Sequence, residues 1–296
     1  MSKKKEQKKT EAEEALETDM APVKQGELVR RGEYESLGSQ EIGASDLEMP
    51  RVKLLQGLSQ AVMDQKAPAG SYFNSLTQEP YGDVINFIPI INFKNRIYIT
   101  MGEGLRCRSL DMVHGVGDPG ILCQTCKLKD WPEDRRKAGE QLDPKLAGPE
   151  CRVSMNWVVL VTASSGLDGK PGSREAKELD EPEWAVIQWT SMSSRAAKKL
   201  NGLFLQSKTL RPNAQWWDRV YELKVQNVRS EKGNFYLPEL RPIGKSTEEQ
   251  KNACLAVASF MRGKTLEYEV QEEDLQTDEQ VGQANVKAQV GEDTEF

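Results

Sequence analysis

The apolar positions of this chain fall mostly in short runs of strand character, and only twice in longer stretches of helical spacing. VINFIPIINF (Val84–Phe93) and RIYIT (Arg96–Thr100), parted by Lys94-Asn95, read as a β-hairpin. In the second run Arg96, Tyr98 and Thr100 alternate with Ile97 and Ile99, so one face carries a cation and a ring and the other is aliphatic. VSMNWVVLV (Val153–Val161) and WAVIQWT (Trp184–Thr190) predict two more strands, with the polar, Gly/Pro-punctuated stretch 164–183 as an exposed loop between them. Trp217–Arg229 and Asn234–Arg241, separated by SEKG, predict a further hairpin.

Helical spacing shows in SMSSRAAKKLNGLFLQ (Ser191–Gln206), through Ala196, Leu200, Leu203 and Phe204. It shows again where Ser246 and Glu249 fit a capping box opening a helix through Met261, with Gly263 placed to end it. Upstream, LLQGLSQAV reads as short helical or irregular, and APAGSYFNSLTQEPYGD as a run of turns. Strands outnumber helices. The expected fold is mainly β (α+β): a small curled sheet of the oligonucleotide-binding (OB) barrel type with two helices.

Residues 1–45 are rich in Lys, Glu, Gln, Gly and Ser and poor in large apolar groups, so disorder is expected there. The organisation expected is a disordered segment 1–45, one domain over 46–265, and an acidic disordered tail over 266–296. The net charge of −6 divides unevenly. Residues 1–50 hold 8 Lys/Arg and 12 Asp/Glu, residues 51–265 hold 31 and 24, and residues 266–296 hold 1 and 10. A basic middle between acidic ends suits a surface that meets a polyanion, and is equally the pattern of a generic solvated surface with disordered ends. No stretch approaches the roughly 18 uninterrupted apolar residues of a membrane-spanning helix. The charged start MSKKKEQKK has no apolar segment behind it, so a cytoplasmic protein is expected.

Four of the five cysteines stand in a Gly/Pro-rich insertion over 102–152: Cys107, Cys123, Cys126 and Cys151, the middle pair in CQTC. A CxxC turn offers two thiolates at one apex of a tetrahedral zinc site, and two more cysteines at the edges of the insertion would close it. Four protein ligands leave no open position, so the role expected of such a Zn2+ is structural. The alternatives are a redox pair, unligated thiols, or His114 replacing Cys107 as a ligand. Cys254 lies in a helical stretch beside Leu255 and Val257 and reads as core.

Enzymatic motifs are wanting. GVGDPG (Gly115–Gly120) matches GxGxxG, but it sits between cysteines, follows no clear strand and has Pro119 where a helix should begin. IGKST (Ile243–Thr247) lacks the first glycine of a phosphate loop, whose place Glu239 takes. One histidine allows no Ser/His/Asp set, and no acidic cluster resembles a two-metal nuclease. No catalytic residue is expected.

Sequence-tolerant single-strand binders combine a basic groove with aromatic rings, since every nucleotide offers a phosphate and every base a π-face. The residues of this type are Lys94, Arg96 and Tyr98; Arg195, Lys198 and Lys199 on the first helix; and Trp217, Arg219 and Tyr221, expected on one strand face. Trp157, Trp184 and Trp189 are more readily core. In order along the chain, LLQGLSQAV, GSYFNSLTQEPYGDVINFIPI, the GEGLRCRS to CQTC to PECRVSMNWVVLV region and WTSMSSRAAKKLNGL resemble the single-stranded DNA-binding proteins of tailed bacteriophages, over most of residues 54–243. The resemblance implies an OB fold with a zinc-bearing insertion, acting in replication, recombination or repair of phage DNA in the host cytoplasm. The ending GEDTEF resembles the acidic, phenylalanine-tipped tails of such proteins. It implies that Glu292, Asp293, Glu295 and Phe296 recruit replication or recombination proteins. The competing reading is a zinc-stabilised adaptor for a polymerase or other replication protein.

Overall fold

The computed structural model describes residues 48–100, 104–144, 146, 148–167, 175–189, 193–230 and 233–262. Both expected disordered ends, 1–45 and 266–296, lie outside these residues.

The strands are β1 (Arg51–Leu54), β2 (Tyr72–Asn74), β3 (Pro80–Gly82), β4 (Val84–Thr100), β5 (Gly104–Ser109), β6 (Val116–Gly117), β7 (Cys151–Ser164), β8 (Lys177–Trp189), β9 (Arg219–Ser230) and β10 (Gly233–Lys245). The α-helices are α1 (Gln60–Met63), α2 (Pro132–Lys137), α3 (Ser194–Leu210) and α4 (Glu248–Met261), with 3-10 turns at Lys127–Lys129 and Trp216–Asp218. All the strands join one sheet in the order β10-β9-β4-β7-β8-β1-β2-β3, with β5 on β4 and β6 on β5. The mainly β fold with two substantial helices is therefore present.

Among the described residues the backbone ladder does not close into a barrel; it ends at β10 on one side and β3 on the other. The nearest approach to closure is made by one side chain. The Gln56 carboxamide donates to the Tyr236 carbonyl at 2.9 Å and accepts from the Tyr236 amide at 3.1 Å. Gly70, at φ +82°, passes under the Tyr236 ring so closely that a Cβ would stand 2.7 Å from it.

Four local expectations change. Val84 to Thr100 is one continuous strand rather than a hairpin, because Lys94 and Asn95 remain in register with Met155 and Ser154 of β7. Asn95 is buried, its Oδ1 accepting from Asn156 Nδ2 at 3.0 Å, which anchors the position where a turn was expected. β8 begins at Lys177, where Lys177 and Glu178 pair with Ser164 and Ala163, so the connection is shorter than the polar composition indicated. The supposed run of turns before Val84 contains β2 and β3, which pair with each other and bring β2 onto β1. The capping box of α4 sits one residue later than expected. Gln250 N donates to Thr247 Oγ1 at 3.2 Å and Thr247 N to Gln250 Oε1 at 3.0 Å, while Ser246 donates to the Trp217 carbonyl.

Both faces of the sheet carry a core, because alternate residues of β7 point opposite ways. Trp157, Val159 and Val161 join Phe87, Ile187, Trp189, Tyr221 and Leu223 beneath Ala196, Ala197 and Leu200 of α3. Val158 and Leu160 join Ile88, Ile90, Val186 and Met49 beneath Cys254 and Met261 of α4. Cys254 is core, as expected.

Candidate nucleic-acid interface and cysteine cluster

The far half of β4 is flanked by β5 and β7, and its register fixes which side chains stand in one row. Tyr98 pairs with Cys107 on one side and Cys151 on the other; Arg96 pairs with Ser109 and Val153; Lys94 pairs with Met155, which pairs in turn with Trp189. Cross-strand partners share a face, so Lys94, Arg96 and Tyr98 lie on the α3 side of the sheet. Met155 packs against the core that α3 covers. Beyond the helix that face is open: Lys94 is exposed, Arg96 and Tyr98 are half-buried, and Val153 is 36% exposed.

The cysteine-bearing insertion is an excursion between two strands already paired to each other. It opens with β5, reverses through the bend at Asp111 to Val113 into β6, and returns past CQTC and α2 to Glu150. Gly117 of β6, at φ +109°, has the Arg106 carbonyl so close that a Cβ would fall 2.1 Å from it, so this position admits glycine alone. GVGDPG accordingly holds a short strand and the bend after it, with a cis Asp118-Pro119 bond and an ion pair between Arg106 and Asp118. This matches its dismissal as a dinucleotide motif.

Cys107, Cys123, Cys126 and Cys151 all line one gap of about 10 Å³, together with Tyr98 and Arg96. None is in a disulfide. Burial pushes the Cys151 thiol up to about 11, against the pull of Arg96, which hydrogen-bonds to it. Among the described residues, no three His, Cys, Asp or Glu side chains are grouped so as to hold a metal ion as they stand. Four thiols are a donor set of the type zinc takes, but as they stand they are not brought into a metal-holding group. His114 does not line that gap. Its Nδ1 pairs with Asp111 Oδ2, and Asp111 Oδ1 accepts the amides of Val113 and His114, each at 2.8 Å.

A second clasp holds the insertion. Arg135 of α2 is 7% exposed and grips Glu140 through two bonds of 2.8 and 3.0 Å, and also Glu150, the residue before Cys151.

Of the other candidates, Arg195, Lys198 and Lys199 lie together on the exposed side of α3, and among the described residues none of them is in an ion pair. Trp217 does not share a face with Arg219 and Tyr221, which are alternate residues of β9. The 3-10 turn at 216–218 sends Trp216 toward the α3-side core, edge-on to Trp157 at 4.5 Å, and Trp217 toward the α4-side core. Tyr221 is 2% exposed and packs against Phe87, so its ring offers no surface to a base. Arg219, half-buried, starts β9 opposite Lys245. Glu292, Asp293, Glu295 and Phe296 lie outside the described residues.

Over residues 16–267 the chain matches the Pam3 phage gp34-like protein family. It belongs to that family. No curated protein and no solved structure matches it. The family points to a bacteriophage protein, and its description assigns no activity.

Among the described residues of the gp34-like protein, Trp131 and Phe260 are exposed aromatics that the sequence pattern did not single out. Trp131 precedes Pro132, the first residue of α2, and is 58% exposed. The signal was present in KLKDWPEDRRK, where a tryptophan stands among five cations, but four acids in and just beyond that stretch obscured it. No helix among the described residues is long and apolar enough to cross a membrane.

Proposed function

We propose that this gp34-like protein binds single-stranded DNA without base specificity, in an OB-like manner, on the open face of β4 and along α3. The observation that carries the reading is the uncovered row of Lys94, Arg96 and Tyr98, which runs from the cysteine cluster at Tyr98 toward the α3-covered core at Lys94. Lys94, Lys198, Lys199 and Arg195 supply cations for phosphates, and Tyr98 supplies a ring at the level of the bases. Arg96 has a divided role, since it also contacts Cys151. The protein works on phage DNA in replication, recombination or repair in the host cytoplasm, and catalyses no reaction.

Cys107, Cys123, Cys126 and Cys151 would hold a Zn2+, which would supply a structural crosslink between β5, the CQTC turn and β7. The chain's own residues do the rest: Arg135 joins α2 to Glu150, and Tyr98 fills the row between Cys107 and Cys151. The acidic tail recruits partner proteins through Phe296.

The adaptor reading has one observation in its favour. Val113, Val116, Ile121, Leu122 and Trp131, all in the insertion, are each 46% exposed or more, an apolar surface that would suit a protein partner.

Fluorescence anisotropy with labelled oligo-dT and a matched duplex decides between them. Single strands are expected to bind far more tightly than duplex, with affinity falling by about 0.7 log units per log unit of salt for each phosphate neutralised. The triple variant Lys94→Ala, Lys198→Ala, Lys199→Ala should bind more weakly and show a shallower salt slope. Equal affinity for duplex, or a triple variant indistinguishable from wild type, removes this face as the binding surface.

A further inference from the structure

Gly202 stands in the middle of α3, a position where glycine is worse than alanine because it gives up more backbone freedom. The usual internal reasons for a helical glycine are absent among the described residues. Gly202 is not among the glycines at positive φ, and a Cβ built on it meets nothing within 4 Å. The demand for a missing side chain does not come from the inside of the protein.

Its place on the helix indicates the outside. The buried side of α3 is Ala196, Ala197, Leu200 and Ser207. Gly202 follows Lys199 by three, Lys198 by four and Arg195 by seven residues, and precedes Gln206 by four, which at 3.6 residues per turn centres it among them. All five are exposed. The helix thus presents a bare patch of backbone with three cations in the turns before it and an amide in the turn after it. Leu205, at the margin of the same face, is 67% exposed.

We propose that Gly202 is where the sugar-phosphate backbone of a bound single strand lies directly against α3, a contact that rests on the single-stranded DNA reading and refines it. Glycine lets a phosphate or sugar reach the helix surface while Arg195, Lys198 and Lys199 neutralise the charge around it. A protein partner would ask for an apolar anchor at the centre of the face; there the centre is empty and the surround is cationic, which suits a polyanion.

The test uses the full-length protein, oligo-dT and a thermal melt. Gly202→Ala should raise the melting midpoint by about 2–4 °C, because a good helix former replaces a poor one in open space. The same variant should weaken oligo-dT binding roughly three- to tenfold, with an unchanged salt slope because no charge is removed. Gly202→Gln, which is bulkier and also neutral, should weaken it further. Lys198→Ala with Lys199→Ala should weaken it with a reduced slope. If both Gly202 variants bind like wild type while the lysine variant is weak, the glycine contact is wrong and the DNA reading stands. If Gly202→Ala lowers the midpoint, the glycine serves internal packing and the inference is overturned. If wild type itself fails to bind oligo-dT, the reading falls first and the inference goes with it.

Discussion

The sheet body buries apolar side chains on both of its faces, whereas the insertion between β4 and β7 exposes them. Trp157, Val158, Val159, Leu160 and Val161 are successive residues of one strand and all are at most 3% exposed. In the insertion Val116, Leu122 and Trp131 are 50% exposed or more, and its buried groups among the described residues are Ser109, Cys123, Cys126, Pro132, Arg135 and, at its far edge, Cys151. Area removed from water holds the first region, at roughly 25 cal/mol per Å². The second has almost no such area to draw on. It is held by discrete polar and thiol contacts, and each of these is a single point of failure. The two regions should therefore come apart under different treatments.

The largest effect is expected in the body. Trp157→Ala removes a side chain that is 1% exposed and touches Trp216 edge-on, so it should cost about 3–5 kcal/mol of global stability in denaturant unfolding. An effect below 1 kcal/mol would mean that the two-faced core is not what holds the sheet.

Next is metal removal. Purified protein should carry about one zinc per chain, and chelation should loosen residues 104–150 while leaving the sheet's unfolding midpoint nearly in place. Alkylation read by mass spectrometry follows both regions at once. With chelator, Cys107, Cys123, Cys126 and Cys151 should become reactive. Cys254 should stay unmodified, because burial between α4 and the sheet pushes its thiol up to about 12 and keeps it protonated at ordinary pH. Protein without bound zinc, or Cys254 labelled as fast as the rest, would remove the contrast.

Arg135→Met should come third. It strips the partner from Glu140 and Glu150, whose side chains are 34% and 28% exposed, so solvent screens part of the loss and about 1–2 kcal/mol is expected. The loss should appear as faster hydrogen exchange in 132–150 rather than as a lower global midpoint. Uniformly faster exchange across β7 and β8 would show the clasp to be part of the sheet.

What was legible in the sequence follows the same division. The strands over Val84–Phe93, Val153–Val161 and Trp184–Trp189 were legible because each carries the dense apolar run of a strand covered on both faces. α3 and α4 were legible from spacing and capping residues. The continuity of β4 through Lys94-Asn95 was not, because a polar pair inside an apolar run signals a turn unless a partner strand binds it. Asn156, which anchors Asn95, is 61 residues away. β2 and β3 escaped because three-residue strands exist only through their neighbours. The four cysteines line one gap, which their spacing allowed without fixing how they face one another, and the direction of Trp217 was not legible at all. Two adjacent tryptophans in a 3-10 turn point to opposite cores, and strand alternation does not apply there. Gly202 was visible as a letter, and its significance depends on knowing that nothing lies above it.

The smallest effect belongs to the turn that opens the insertion's hairpin. Asp111 accepts from His114 Nδ1, from the amides of His114 and Val113, and from Ser109 Oγ, and the His114 contact leads in holding its carboxyl well below the usual carboxylate range. A folded-state value lower than the unfolded one, about 3.9, means that the charged form favours the folded turn. Its contribution is present above about pH 4 and is lost as pH falls through the lower folded value. The Asp111 side chain is 51% exposed, so solvent screens it and the effect should be local and weak. Asp111→Asn keeps the shape and removes the charge, and comparing it with wild type cancels any thiol protonation common to both. Amide exchange at Val113 and His114 should be faster in the variant by a constant factor from pH 8 down to about pH 5, and the difference should begin to shrink only below about pH 4. If it shrinks already between pH 6 and 5, the Asp111 carboxylate is not held by these bonds, and the turn owes its shape to the cysteine cluster beside it.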